Sequence, residues 1–166
     1  MPDKPPETSS PACLAHEGSD AYMGYASKDE LGAFLNELLE AERAGTGVAL
    51  RSAENAAGTP FVGLLRDIHK DEARWCAMLL RQLKALGVPA STRIGAFQEK
   101  ALAIEGLPER MAFLNRGQGW VVRKLRELIP KVREPALHAD LSHMLSSHVA
   151  NITLANSADT RGLAVP

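Results

Sequence analysis

Apolar residues recur every three or four positions over most of this chain, the spacing of a helix with one buried stripe. A first helix is predicted from about Lys28 to Asn55, carrying Leu31, Phe34, Leu35, Leu38, Ala41, Gly45 and Ala49 on one face. Ser27 and Glu30 have the spacing of a capping box at its start. Gly58-Thr59-Pro60 breaks the pattern, and a second helix follows to Gly87 with Phe61, Leu65, Ile68, Trp75, Leu79, Leu83 and Leu86 inward. A third runs from near Pro108 to Ile129 through Met111, Leu114, Val121, Leu125 and Leu128. A fourth runs from about Pro135 to Asn156 through Leu137, Leu141, Leu145, Ile152 and Ala155.

Between the second and third helices lies a link of about twenty residues, longer than usual bundle connections, with a short apolar segment, Ala96 to Ile104, predicted as a turn or two of helix. Val, Ile and Thr nowhere alternate with polar residues over a useful length, so no strand is expected. The fold class is all-α: an antiparallel four-helix bundle of two hairpins, with a long crossover between helices 2 and 3.

Residues 1–26 hold four of the ten prolines and no apolar period, and read as a disordered N-terminal tail. The bundle is assigned to 27–157 and a flexible C-terminal tail to 158–166. With 166 residues, 45% of them apolar, one core can be built.

Nineteen Lys and Arg against twenty Asp and Glu give a net charge of −1, without the basic excess that would announce a nucleic acid. The basic residues Arg110, Arg116, Arg123, Lys124, Arg126, Lys131 and Arg133 are mixed with Glu109, Glu127 and Glu134 and suit a solvated face. No apolar run reaches membrane-spanning length and no secretory signal opens the chain. Cys13 and Cys76 have neither disulfide-framework nor zinc spacing. A cytoplasmic protein with no membrane partner is expected.

Placing each polar side chain at 100° per residue puts Glu42, Glu72, Gln118 and His148 within about 40° of their stripe centres. There is one per helix, near mid-helix. Thirty residues separate Glu42 from Glu72, and thirty separate Gln118 from His148, so in antiparallel hairpins all four share one height. Glu40, Arg74, Arg116, Arg123 and His143 project outward; His69, Asp71, Asn115 and Asn151 lie at the stripe boundary. Isolated carboxylates in a core are costly and must be paired, protonated or coordinated. Glu42, Glu72 and His148, with Gln118 as a weak ligand, would suit one iron(II) or manganese(II) ion. A metal-free hydrogen-bond network satisfies the same residues.

The runs Leu38-Leu39-Glu40-Ala41-Glu42-Arg43-Ala44-Gly45, Asp71-Glu72-Ala73-Arg74-Trp75-Cys76 and Leu114-Asn115-Arg116-Gly117-Gln118-Gly119-Trp120-Val121 resemble a bacterial ferritin-like family of uncharacterised function over roughly residues 28–156. Di-iron members of that superfamily place a Glu on helices 1 and 3 and a Glu-x-x-His pair on helices 2 and 4. Here Glu42 and Glu72 match. Trp75 stands where the helix 2 His would be, Gln118 replaces the helix 3 carboxylate, and helix 4 keeps at most a His, so the resemblance implies a degenerate site of at most one metal.

Gly117 and Gly119 flank Gln118 inside a helix, where glycine is unfavourable, and imply close packing or room for a ligand. Trp120 projects away from the stripe and marks a surface for the crossover or for a homodimer. Three functions follow as expectations: a metal-binding ferritin-like protein; a metal-free scaffold that binds partners or self-associates; and a bundle that binds a small molecule.

Overall fold

The computed structural model describes residues 22–162, with side chains to residue 158. Their secondary structure is all-helical: α1 (Lys28–Asn55), α2 (Phe61–Leu86), α3 (Phe97–Leu102), α4 (Leu107–Leu128), a 3-10 turn (Ile129–Lys131) and α5 (Pro135–Gly162). Local chemistry sets the ends. At α1 the Glu30 N–H donates to Ser27 Oγ (3.2 Å) and the Ser27 N–H to Glu30 Oε2 (2.8 Å), the reciprocal capping box its spacing predicted. Gly87 ends α2 at φ +66°, a left-handed conformation that costs glycine little. Glu134 caps α5, accepting from the N–H groups of Ala136 (3.0 Å) and Leu137 (2.6 Å).

α5 runs six residues beyond the expected Asn156, so the start of the C-terminal tail assigned to 158–166 is helical as far as Gly162. No proline intervenes there to stop it. The N-terminal tail lies outside the described residues up to 21. At its end Ala26 is half-buried and its N–H donates to the Lys131 carbonyl at 2.9 Å.

α1 packs on α2 and on α4, and α5 packs on α4 and on α2, while in the two diagonal pairs no Cα atoms come within 8 Å of each other, so only side chains can bridge them. Two apolar clusters fill the interior. One joins Leu35, Leu38 and Leu39 of α1 to Trp75–Leu83 of α2, Val121–Leu128 of α4 and Leu137–Met144 of α5. The other joins Val48, Ala49 and Ala53 of α1, and Ala56 just past its end, to Leu65 and Ile68 of α2, Ala101 of α3, and Met111 and Leu114 of α4. Thus α4 begins at the end of the molecule where α1 finishes, and the link before it travels along α1. Asn36 donates to the Pro89 carbonyl (3.0 Å), Arg43 donates to the Ser91 carbonyl, and Glu40 accepts from Ser91 Oγ (2.5 Å) and Arg93 Nε (3.1 Å). Glu40, expected to be solvated, therefore clamps the crossover.

The inward face of α5 is turned by about one position from expectation. Leu137, Leu141, Met144, His148, Asn151 and Ala155 are buried, whereas Leu145 and Ile152 are half-buried. The buried set keeps an unbroken alternation of four- and three-residue steps. Its polar members lower its apparent hydrophobicity, so a stripe drawn through the most apolar residues misses it.

Candidate functional site

On α1, α2 and α4 one polar residue separates the two apolar clusters, and on α5, which joins only the first cluster, a polar residue follows the last member. Glu42 follows Leu39 and precedes Val48; Glu72 lies between Ile68 and Trp75; Gln118 lies between Leu114 and Val121; His148 follows Met144. All four are buried, with 1–3% of their surface exposed. The four residues placed at one height by the thirty-residue spacing therefore form a polar layer across the interior, and together they line one cavity of about 430 Å³.

That cavity lies between α1 and α4, with Gly95, Ala96 and Phe97 of the crossover along one side. α2 and α5 reach it only through Glu72 and His148. Two glycines make room. A Cβ on Gly45 would lie 2.6 Å and 2.7 Å from the two carboxylate oxygens of Glu72, so the absence of a side chain on α1 admits that carboxylate. A Cβ on Gly117 would lie 2.6 Å from the Phe97 ring, which stacks on Phe113 at 4.8 Å between centroids. Gly117 thus seats the crossover against α4, the close-packing role its place in the helix implied. Gly119 has no such neighbour.

His148 links two helices. Its Nδ1 lies 3.0 Å from the Met144 carbonyl and its Nε2 lies 3.1 Å from Glu42 Oε1. A carbonyl only accepts, so Nδ1 carries a proton; a second proton on Nε2 makes an imidazolium facing the Glu42 carboxylate. Burial alone would lower the His148 pKa, but the Glu42 charge, its hydrogen bond and the Met144 carbonyl outweigh burial and hold it above the ordinary value. Glu72 has no such partner. Burial first, then the charges of Glu42 and Asp71, push its carboxyl well above the carboxylate range, which favours the protonated form.

Three oxygens in the layer find no protein partner: Glu42 Oε2, Glu72 Oε2 and Gln118 Oε1. Buried acceptors left alone are costly, and each calls for a partner that a water, an ion or a ligand can supply. In kind, the donors suit iron(II) or manganese(II), and a histidine with its other nitrogen on a carbonyl is oriented as metal-bound histidines are. In arrangement, among the described residues no group of three or more His, Cys, Asp or Glu side chains could hold a metal ion. Only Glu42 and His148 are in hydrogen-bond contact with each other within the four.

The boundary residues make a second, smaller network on the α2–α5 side. Asp71 accepts from Ser147 Oγ (2.9 Å), Asn151 Nδ2 (3.2 Å) and Arg74 (3.1 Å). His69 donates from Nδ1 to the Thr46 carbonyl (3.1 Å), and Asn115 donates to Asn156 Oδ1 (2.8 Å). Arg74, Arg116, Arg123 and His143 are exposed as expected. Trp75 is buried in the apolar cluster beside Met78 and Leu79. Cys76 is half-buried and its thiol is pushed up to about 11, chiefly by burial and then by Glu42, so it is a poor nucleophile.

Trp120 differs from its expected outward projection. It is half-buried against the apolar core and lines the cavity, and Lys124 stands 5.4 Å from its ring while pairing with Glu37 at 2.9 Å. Periodicity missed this because the gap between α1 and α4 widens the buried arc of α4 beyond a single stripe. Arg110, also missed, is buried with Nε and Nη2 donating to the Ile104 carbonyl at 2.9 Å and 2.6 Å, which fastens the crossover to the start of α4. Among the described residues no helix is long and apolar enough to cross a membrane.

No curated protein and no solved structure matches this sequence. A family model does, over residues 29–158, which takes in α1 from its second residue, α2 to α4, the polar layer, the cavity and most of α5. The chain belongs to the family described as Domain of unknown function (DUF6306).

Proposed function

We propose that this protein is a ferritin-like four-helix bundle that binds a small organic molecule in the cavity at its polar layer. The two hairpins, the side-by-side pairs α1–α4 and α2–α5, and the crossover travelling along α1 support the ferritin-like connectivity. One observation carries the ligand reading: a cavity of about 430 Å³ with mostly apolar walls and four convergent polar residues. Ligand sites are commonly about 300–1,000 Å³ and combine apolar walls with a few placed polar groups.

The test is a fragment titration followed by amide NMR, using aliphatic and aromatic amines, alcohols, carboxylic acids and neutral aromatics. Saturable shifts at Gly45, Gly117 and Gln118, lost in an Ala41→Trp variant that fills the cavity, are the expected result. A panel that leaves those amides unmoved overturns the reading and favours a metal-free scaffold working through its surface.

A second reading is favoured by the contact between Glu42 and His148: a single iron or manganese ion held there, with Glu72 brought in as a third ligand and Gln118 beside it. Metal analysis of protein purified from cells tests it. Stoichiometric metal lost in His148→Ala supports the ion; metal-free protein refutes it. Self-association through the Trp120 face is checked in the same preparation by sizing wild type against Trp120→Ala.

A further inference from the structure

The unpartnered atoms in the cavity share one chemical character. Its lining includes four glutamates, Glu37, Glu40, Glu42 and Glu72, against one imidazole, His148. At the mouth, Glu37 is paired with Lys124 and Glu40 is held by Ser91 and Arg93. Deeper in, Glu42 Oε1 is taken by His148. What remains is Glu42 Oε2, Glu72 Oε2 and Gln118 Oε1, three acceptors on side chains at least 97% buried. Gln118 Nε2, the amide donor of these residues, is not among the buried orphans.

We propose that the ligand is a primary amine in its ammonium form, carried on a compact apolar body. This rests on the small-molecule reading of the cavity and names the chemistry that reading leaves open. An ammonium offers three N–H donors and no acceptor, which matches three orphan oxygens; its charge beside two carboxyls favours the carboxylate form of Glu72, whose proton leaves to solvent as the ligand enters. An alcohol donates one hydrogen and leaves two of the oxygens bare. A carboxylate brings further acceptors and like charge to a site already short of donors. The apolar body packs against Leu114, Val121, Ala41 and Ala44, with Phe97 and Trp120 as aromatic walls.

Three probes of nearly equal size separate the possibilities: 2-phenylethylamine, 2-phenylethanol and phenylacetate, each titrated at pH 7 into the full-length protein by calorimetry and amide NMR. Charge-assisted hydrogen bonds are roughly twice as strong as neutral ones, so the amine is expected to bind about tenfold or more tighter than the alcohol, and the acid not at all. In Glu72→Gln, which keeps the shape and removes a carboxyl, the amine is expected to lose about tenfold while the alcohol is unchanged within about twofold. Equal binding of amine and alcohol to the wild type, or tighter binding of the acid, overturns the ammonium proposal and leaves the small-molecule reading standing. Failure of all three probes, with the wider fragment panel also silent, overturns both. Because the comparison among probes is made on the wild type, it does not depend on how the variant folds.

Discussion

Gly45 offers the most direct check of the site's geometry, because two effects of opposite sign meet there. Replacing it with Ala in the interior of α1 should gain about 1 kcal/mol of helix propensity. The new Cβ, however, would stand 2.6 Å and 2.7 Å from the Glu72 oxygens and 2.8 Å from Cδ. Carbon atoms rest at about 3.5–4.0 Å from their neighbours, so the carboxyl must retreat by the better part of an ångström. Glu72 is 3% exposed and can retreat only toward the cavity it lines, and displacing a buried side chain from its rest position costs about 1–3 kcal/mol. Gly45→Ala should therefore be between neutral and destabilising by about 2 kcal/mol. In a Glu72→Ala background the obstacle is gone, and the same change should stabilise by about 1 kcal/mol. Urea unfolding of wild type, both single variants and the double variant, followed by circular dichroism, measures the coupling, expected at about 1–3 kcal/mol. A coupling below about 0.5 kcal/mol would mean that Glu72 does not lie over Gly45, and the polar layer would have to be redrawn.

Other perturbations test the layer's charges and its glycine seat. His148→Ala leaves the Glu42 carboxylate buried with neither oxygen paired and should cost about 3–5 kcal/mol in urea unfolding, whereas Glu42→Leu with His148→Leu should recover most of that; a double variant no better than the single one would argue against the pair. Glu72 binds its proton more tightly folded than unfolded, so its contribution is full below its ordinary value of 4.5 and is lost as pH rises through its higher folded value. His148 behaves alike above 6.5, its contribution fading as pH rises through its own raised value. Wild-type stability should fall with rising pH from about 4.5 upward, by at most about 1.4 kcal/mol per pH unit for each proton, and Glu72→Gln should flatten the lower part of that fall; parallel curves for the two proteins would contradict the assignment. Gly117→Ala meets the Phe97 ring, which is rigid and stacked on Phe113, and a net loss of about 1–2 kcal/mol is expected on thermal unfolding. A gain in stability would show that the crossover is not seated there.

Some of this architecture was legible in the order of residues because its causes are local. The capping box at Ser27, the left-handed Gly87 and the start of α4 at Leu107-Pro108 need only a few neighbouring residues, and the ends of α1 and α2 fall where those signals put them. The shared depth of Glu42, Glu72, Gln118 and His148 was legible for a similar reason. Helical period sets direction, and equal spacing within two antiparallel hairpins sets height.

Tertiary structure alone decided what those four residues do. Whether His148 faces Glu42 or Glu72, and which oxygens are left without donors, depends on side chains from different helices, 106 positions apart in the case of Glu42 and His148. Trp120 becomes a cavity wall, and Glu40 a clamp, only because the crossover lies along α1 and a gap separates α1 from α4. A single helical period reports one face of one helix. It carries no information about which neighbour covers the other faces, and the room beside Gln118 is made by that covering.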